Sequence, residues 1–313
     1  MKVINGIDNY TKNKQCLLTI GTFDGIHIGH QKIINELVFE AHKENLLAVV
    51  LSFFPHPRMV LQKDNAIKLI DTIEEKKDIL EKMGVDVLVI HPFSKSFSKL
   101  SAIEFTRDLL VDIFKIKKIF IGFDHRFGRN RKATVDDLIK FGSTYNFSVK
   151  KIEAQEIKKV NISSTKIRKA LAEGDLKIVN QYLARPFVIT GIVIKGKEIG
   201  RKINFPTANI HIEETYKILP INGVYFVYSR LNNEIFYGMM NIGNRPTING
   251  KNKTIEIHFF NFNYDIYGNK IKIKIYDKIR DEIKFNSLIE LQKQLEKDKI
   301  TCIELRKNNF LEI

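Results

Sequence analysis

The stretch Leu17–Gln31, LLTIGTFDGIHIGHQ, constrains this chain more than any other. An apolar run ends in Thr19 and Ile20, and a turn punctuated by Gly21, Gly25 and Gly29 follows. His27 and His30 then stand at the door of a periodic segment that runs to Lys43. That pattern predicts a strand, a turn and a helix start. Glycines let the backbone approach a ligand closely, and the first helical turn offers unpaired N–H groups and a positive dipole end to an anion. The stretch therefore predicts a phosphate site at which the two imidazoles donate to oxygens that gain charge.

A second element supports this reading. ISSTKIR, Ile162 to Arg168, sets three consecutive hydroxyls, Ser163, Ser164 and Thr165, where a helix should begin, with Lys166 and Arg168 in its first turn. Such hydroxyls either cap the helix or bind a second phosphate together with the cation.

Around these motifs, apolar runs alternate with helical patterns as far as about residue 152. Strands are predicted at 17–20, 47–53, 85–90, 118–121 and 148–152, and helices at 31–43, 73–83, 102–114 and 135–145. Such alternation predicts a Rossmann-like parallel sheet with helices on both faces and ligands at the carboxyl ends of its strands. Two loops should converge there. SFFPHP, Ser52 to Pro57, is either a rigid connector or a pocket wall in which Phe53, Phe54 and His56 meet a flat ring. IGFDHRFGRNRKAT, Ile121 to Thr134, crowds Asp124, Arg126, Arg129 and Arg131 into a solvated or a functional loop, and Thr134 with Asp137 predicts a capping box.

A helical pattern from Ser164 to Tyr182, broken at Glu173-Gly174-Asp175, ends at Arg185-Pro186, where the periodicity switches to two. The boundary is placed there, giving domains 1–185 and 186–313, as a length of 313 residues suggests. Strands at 187–194, 223–230, 235–242, 254–262 and 270–275, then a helix from a Ser287/Glu290 capping box, predict a small antiparallel β-barrel with a terminal helix.

Three clusters in this second half carry chemistry. In GKEIGRKINFPTANI, Gly196 to Ile210, Thr207 and Asn209 lie two apart on an extended segment and share a face, where a hydroxyl and an amide oxygen suit Mg2+. In IEIHFF, Glu256 and His258 oppose the apolar Ile255, Ile257 and Phe259, so Glu256 is either solvent-facing or a positioned base. IRDEIKFNS, Ile279 to Ser287, is a charged turn before the last helix.

Composition narrows the partners. No apolar run is long enough to cross a bilayer, and the opening MKVINGIDNY lacks the apolar core of a signal peptide, so a cytoplasmic protein without membrane contact is expected. Cys16 and Cys302 are isolated at opposite ends of the chain, which argues against a disulfide framework or a zinc site. The net charge of +15 is spread over both halves rather than gathered in a stripe, so with abundant Lys, Ile and Asn it reads as a compositional bias; no nucleic-acid partner is expected, and phosphate-rich small substrates also suit such a surface. The oligomeric state stays open, a weak homo-oligomer included.

The first stretch resembles the TxGxFDxxHxGH loop of the nucleotidyltransferase superfamily. Its HxGH tetrad also occurs in class I aminoacyl-tRNA synthetases, but their lysine-rich partner loop is not visible here. With MNIGNRPTI, the three later clusters resemble riboflavin kinase. Residues 15 to 300 as a whole resemble the bacterial bifunctional riboflavin kinase and FAD synthetase family. The resemblance implies that riboflavin is phosphorylated to FMN by the barrel and FMN adenylylated to FAD by the first domain, with ATP and Mg2+.

By position, the resemblance makes Glu256 the base for the riboflavin 5′-hydroxyl and gives the metal to Thr207 and Asn209. Gly196, Gly200 and Arg201 fall in the kinase phosphate loop. His27 and His30 act in adenylyl transfer, with Gly21, Phe23, Gly25, Asp124, Ser163, Ser164, Thr165 and Arg168 on ATP. Phe54, His56, Pro57, Arg280, Glu282 and Phe285 meet flavin. The chain departs from the family pattern at Asn204, where glycine is usual, and at His125, where an aromatic is usual. Two competing readings are adenylyl transfer to another acceptor, such as pantetheine phosphate, and a basic RNA-associated or flavin-sensing protein.

Overall fold

The computed structural model describes residues 1–11, 14–62, 67–153, 156–157, 160–196, 199–247 and 250–309. Its contacts divide the chain into two compact units, Met1–Ser164 and Thr165–Ile313.

The first unit is built on six parallel strands: β1 (Lys2–Asn5), β2 (Cys16–Ile20), β3 (Leu47–Phe53), β4 (Val87–His91), β5 (Ile116–Gly122) and β6 (Ser148–Ile152), in spatial order β1-β4-β3-β2-β5-β6. The short edge strand β1 is absent from the sequence expectation, since KVIN is too brief to show a period. Between the strands lie α1 (Ile28–Lys43), α2 (Pro57–Leu61), α3 (Ile73–Lys82), α4 (Ala102–Glu104) and α5 (Val135–Tyr145). The segment expected as one helix over 102–114 opens as α4 and continues with π-type pairing through Phe105–Ile113. A two-stranded ribbon, β7 (Glu156–Ile157) with β8 (Val160–Asn161), follows the sheet.

Alternate residues of the strands face opposite layers. Leu18, Ile20, Val49 and Leu51 pack with Leu109, Leu110 and Leu138, whereas Leu17, Ala48, Val50 and Leu88 pack with Ile34, Leu37 and Leu80. The expected two-sided helical cover is therefore present, with α1 and α3 on one face and the π-helix and α5 on the other. The chain runs from β2 through β3 to β4 on one side, then returns to place β5 on the other side of β2. The crevice beyond the ends of β2 and β5 is thus the topological switch point, where doubly wound sheets bind ligands.

The second unit begins within α6 (Ser164–Glu173), at Thr165, and α7 (Leu176–Leu183) follows. It continues with the strands β9 (Phe187–Ile194), β10 (Ala208–His211), β11 (Gly223–Leu231), β12 (Glu234–Thr247), β13 (Gly250–Phe259) and β14 (Lys270–Arg280), closed as β10-β13-β12-β11-β14-β9, and the helix α8 (Leu288–Asn309). The division between units precedes Arg185-Pro186 because α7 is tied to the barrel. Asn180 donates from Nδ2 to the Ile275 and Tyr276 carbonyls at 3.1 and 2.9 Å and accepts from the Phe187 N–H at 2.8 Å. At the start of α8, Ser287 Oγ accepts from the Glu290 N–H at 3.2 Å, but the Glu290 carboxylate takes the Asn286 N–H rather than that of Ser287, so the expected capping box is one residue out of register.

Leu18 lies fully buried on the central strand. Leu18→Ala should destabilise the first unit by about 2–5 kcal/mol, the usual cost of a large-to-small change in a core, as read by urea denaturation.

Candidate active sites

In the first unit, β2 ends at Ile20 and the next seven residues, Gly21 to His27, build the turn. Phe23, Gly25 and Ile26 have positive φ values of 44°, 89° and 38°. A Cβ at Gly25 would meet Ile70 Cδ1 at 2.9 Å, so this glycine answers both a backbone and a space requirement. The turn's buried polar groups are met from elsewhere in the unit. The Asp24 carboxylate accepts from the Ile70 N–H at 2.8 Å, the Asp24 carbonyl from the Ser164 hydroxyl at 2.8 Å, and the Thr22 carbonyl from Lys76 Nζ at 2.7 Å. The ISST segment, read as a partner of the loop, is thereby brought to it through Ser164.

Helix α1 starts at Ile28, three residues before the sequence expectation, because His27 is its N-cap. His27 Nδ1 accepts from the His30 N–H at 3.4 Å, which leaves the proton of the neutral ring on Nε2. The two imidazoles stack with centroids 3.7 Å apart and planes at 18°, and Phe23 meets His30 edge-on at 5.2 Å. Burial pushes His27 down to about 4, and burial, then His27, then Lys76 hold His30 well below the ordinary imidazole value. His30 Nδ1 is buried with no hydrogen-bond partner in the structure. Both rings are therefore uncharged at neutral pH, at a helix N-terminus whose chemistry suits an anion.

The neighbouring loops are positioned as the strand order requires. Phe53, at the end of β3, packs into the core against Phe93 and Phe97 at 5.7 and 5.4 Å rather than into a pocket, while Phe54 is half-buried on the opposite layer. His56 caps α2 by accepting from the Arg58 N–H at 3.2 Å, with Pro57 in the first turn. Beyond β5, Asp124 is exposed, and His125 lies against Phe127 with ring centroids 6.2 Å apart. Burial, then Arg131, lowers His125 to about 4, so the ring is uncharged at neutral pH. The Thr134/Asp137 capping box is present.

In the second unit, register builds the site. Glu256 pairs with Asn209 on β10 and with Asn241 on β12, so the three side chains form one row across three strands. Ile255 and Ile257 are buried on the opposite face. Asn241 escaped the sequence analysis, although the quoted MNIGNRPTI contains it. His258, on the same face of β13 as Glu256, contacts the Pro206 carbonyl through Nδ1 at 2.8 Å, and a carbonyl can only accept, so that nitrogen carries the proton. Asn209 lies directly over Gly196, where no Cβ would fit, and Gly200 accepts from the Phe205 N–H at 2.8 Å. Asn204 takes the left-handed backbone with φ 60°, so the turn survives without the usual glycine. Residues 197–198 of this loop lie outside the described residues.

A cavity of about 690 Å³ opens beside Thr207, lined by Arg201, Asn204, Ala208 and Ile257, with Phe262, Asn263, Tyr264 and Tyr267 on its far wall. Sequence reasoning missed that wall, whose signal was the aromatic-rich NFNYDIY between two strands. Of the residues expected near flavin, Arg280 gives its guanidinium to the buried Asp298 at 2.7–3.0 Å and lies 5.9 Å from the Phe285 ring. Glu282 accepts from Asn222 Nδ2 at 3.1 Å and sits over Gly243, beside Asn241.

A histidine pair at the switch point of a doubly wound sheet, and a carboxylate flanked by two amides on a closed barrel, define the class of two-module nucleotide-dependent transferases. Residues 9–166 match the FAD synthetase family and residues 183–305 the riboflavin kinase family. A bifunctional riboflavin kinase/FMN adenylyltransferase from Buchnera aphidicola subsp. Schizaphis graminum is 40% identical and covers 99% of each chain, and the Escherichia coli K12 protein of the same description is 38% identical over 97% of each. A solved structure from Streptococcus pneumoniae, described as a macrolide-efflux protein, superposes with a TM-score of 0.89 at 31% identity, covering 96% of this chain and 99% of that one. Among the described residues of this chain, no helix is long and apolar enough to cross a membrane. The chain belongs to the bifunctional riboflavin kinase/FMN adenylyltransferase family.

The depressed imidazole sets a pH signature. Between the ordinary value of 6.5 and about 4, the unfolded chain binds a proton that folded His27 refuses, so stability falls as pH is lowered through this window. At about 1.4 kcal/mol per unit the full effect is on the order of 3 kcal/mol. His27→Gln should make the acid-side decline of the thermal midpoint shallower; an unchanged slope would show that His27 is not held uncharged by the fold.

Proposed function

We propose that the chain converts riboflavin to FMN in its barrel and FMN to FAD in its first domain, consuming two ATP and releasing ADP and then pyrophosphate. The observation that carries this reading is that each unit holds its own set of groups suited to phosphate. The same reading assigns residues 1–185 to adenylyl transfer and 186–313 to the kinase, and places the protein in the cytoplasm with small molecules rather than nucleic acid as partners.

In the kinase step, Glu256 accepts the proton of the riboflavin 5′-hydroxyl as that oxygen attacks the γ-phosphorus of ATP, and ADP leaves. Asn209 and Asn241, on either side in the register, hold the carboxylate's surroundings polar. The cavity beside Thr207 has aromatic walls for a base and Arg201 for phosphate, with Gly196 and Gly200 giving the backbone close approach. Thr207 and Asn209 would hold Mg2+; hydroxyl and amide oxygens next to a phosphate site are a donor set this hard cation accepts. Bound there, the cation supplies neutralisation of the phosphate charge. Arg280, fixed by Asp298, with Glu282 and Phe285 borders the flavin.

In adenylyl transfer, the FMN phosphate is already an anion and attacks the α-phosphorus of ATP without a protein base. His27 donates from Nε2, and His30 joins it on the oxygens that gain charge as pyrophosphate departs, with Gly21 and Gly25 letting the phosphates come close to the backbone. Ser163 and Ser164 serve the same phosphates. The motif extends that role to Thr165 and Arg168, and assigns Phe23 and Asp124 to ATP and Phe54, His56 and Pro57 to the flavin.

Chromatography of products from riboflavin, ATP and Mg2+ tests the reading: FMN and then FAD should appear. The double change His27→Ala with His30→Ala should cut FAD formation by about 10²-fold or more while FMN still accumulates. Glu256→Ala should stop FMN formation yet leave FAD formation from supplied FMN. Parallel loss of both activities in each variant would rule out two separate sites.

A further inference from the structure

Lys76 takes part in none of the roles assigned above, yet it is almost fully buried, 4% exposed, behind the phosphate turn. It sits on the first turns of α3, whose start is locked by a complete capping box between Thr72 and Glu75. A lysine is rarely buried so deeply unless its ammonium is answered. Here Nζ donates to the Thr22 carbonyl at 2.7 Å and to Ser52 Oγ at 3.4 Å, and Ser52 in turn donates to the same carbonyl at 3.3 Å. Asp24 and Asp71, both buried, supply the opposite charge.

Thr22 immediately precedes the three positive-φ residues of the turn, two of which, Phe23 and Ile26, carry side chains. Left-handed backbone at such residues costs roughly 1–2 kcal/mol each and persists only where the surroundings over-determine it. The ammonium is one of the groups that does so. It joins the turn after β2 to the end of β3; burial lowers the ammonium from its ordinary lysine value, and the Asp24 and Asp71 carboxylates work against that shift.

Resting on the adenylyl-transfer reading, we propose that Lys76 is a positioning residue of that site: clamped between the Thr22 carbonyl and the Ser52 hydroxyl, it holds the glycine turn in the shape that receives the phosphates of ATP. It touches no reacting atom. Its loss lets the turn relax, and a displacement of about 1 Å at a positioned group is enough to cost about 10²-fold in rate.

The test is Lys76→Met in the full chain, with riboflavin kinase activity as an internal measure of folding. Kinase constants should match the parent, while kcat/KM for ATP in FAD formation falls by about 10- to 100-fold, with KM for ATP rising more than KM for FMN. Lys76→Arg, which keeps the charge and the donors, should recover part of the loss. Ser52→Ala, which keeps the lysine and removes one anchor, should raise KM for ATP several-fold. Lys76→Met that forms FAD within twofold of the parent overturns the proposal. So does equal loss of FMN and ATP affinity, and, should Lys76→Met fail to fold, so does an unchanged KM for ATP in Ser52→Ala. Absence of FAD from the parent protein would instead overturn the adenylyl-transfer reading itself.

Discussion

The structure of the first unit depends on keeping an unfavourable turn in place. Gly21 to His27 leaves a central strand, passes through three left-handed residues and delivers the chain to the N-terminus of α1. Nothing local makes that path the cheapest one. It is held by long-range polar contacts: the Ile70 N–H on the Asp24 carboxylate, the Ser164 hydroxyl on the Asp24 carbonyl and the Lys76 ammonium on the Thr22 carbonyl. Each answers a buried group that would otherwise destabilise the fold by a few kcal/mol, so the turn and its anchors are stable only together.

The same economy of charge governs the histidines. A cation at this place would bind phosphate strongly before and after reaction alike, whereas an uncharged donor gains most where charge develops in the transition state. Burial lowers His27, and burial, then His27, then Lys76 lower His30, so that both rings stay uncharged beside the positive end of α1. The barrel reaches a comparable end by other means. Its closed sheet sets Asn209, Glu256 and Asn241 in one row by register alone, with apolar neighbours on the inner face making that row rigid.

Much of this was legible in the sequence because it is periodic or local. The strands from β2 to β6, the helices between them other than the five-residue α2, and five of the six barrel strands follow from apolar spacing, and the Thr134 cap follows from a four-residue pattern. The short strands β1 and β10 did not show, since four residues carry too little periodicity. Lys76 reads in IEEKKDIL as one more solvated charge; only the packing of α3 against the turn reveals that it is buried. Asn241 and the aromatic wall from Phe262 to Tyr267 become site residues through strand register and loop placement, which a one-dimensional pattern does not contain. Phe53, offered by its loop as a ring-binding residue, is claimed instead by the aromatic core.

The central claim is that one polypeptide handles ATP in two chemically distinct ways, transferring the terminal phosphoryl group from one molecule and the adenylyl group from another. Following isotopic label from ATP into the flavins measures this directly. With riboflavin as substrate, label in the γ-phosphate should appear in both FMN and FAD, and label in the α-phosphate in FAD alone. Label from the α-phosphate in FMN, or FAD that carries no α-label, would contradict the account.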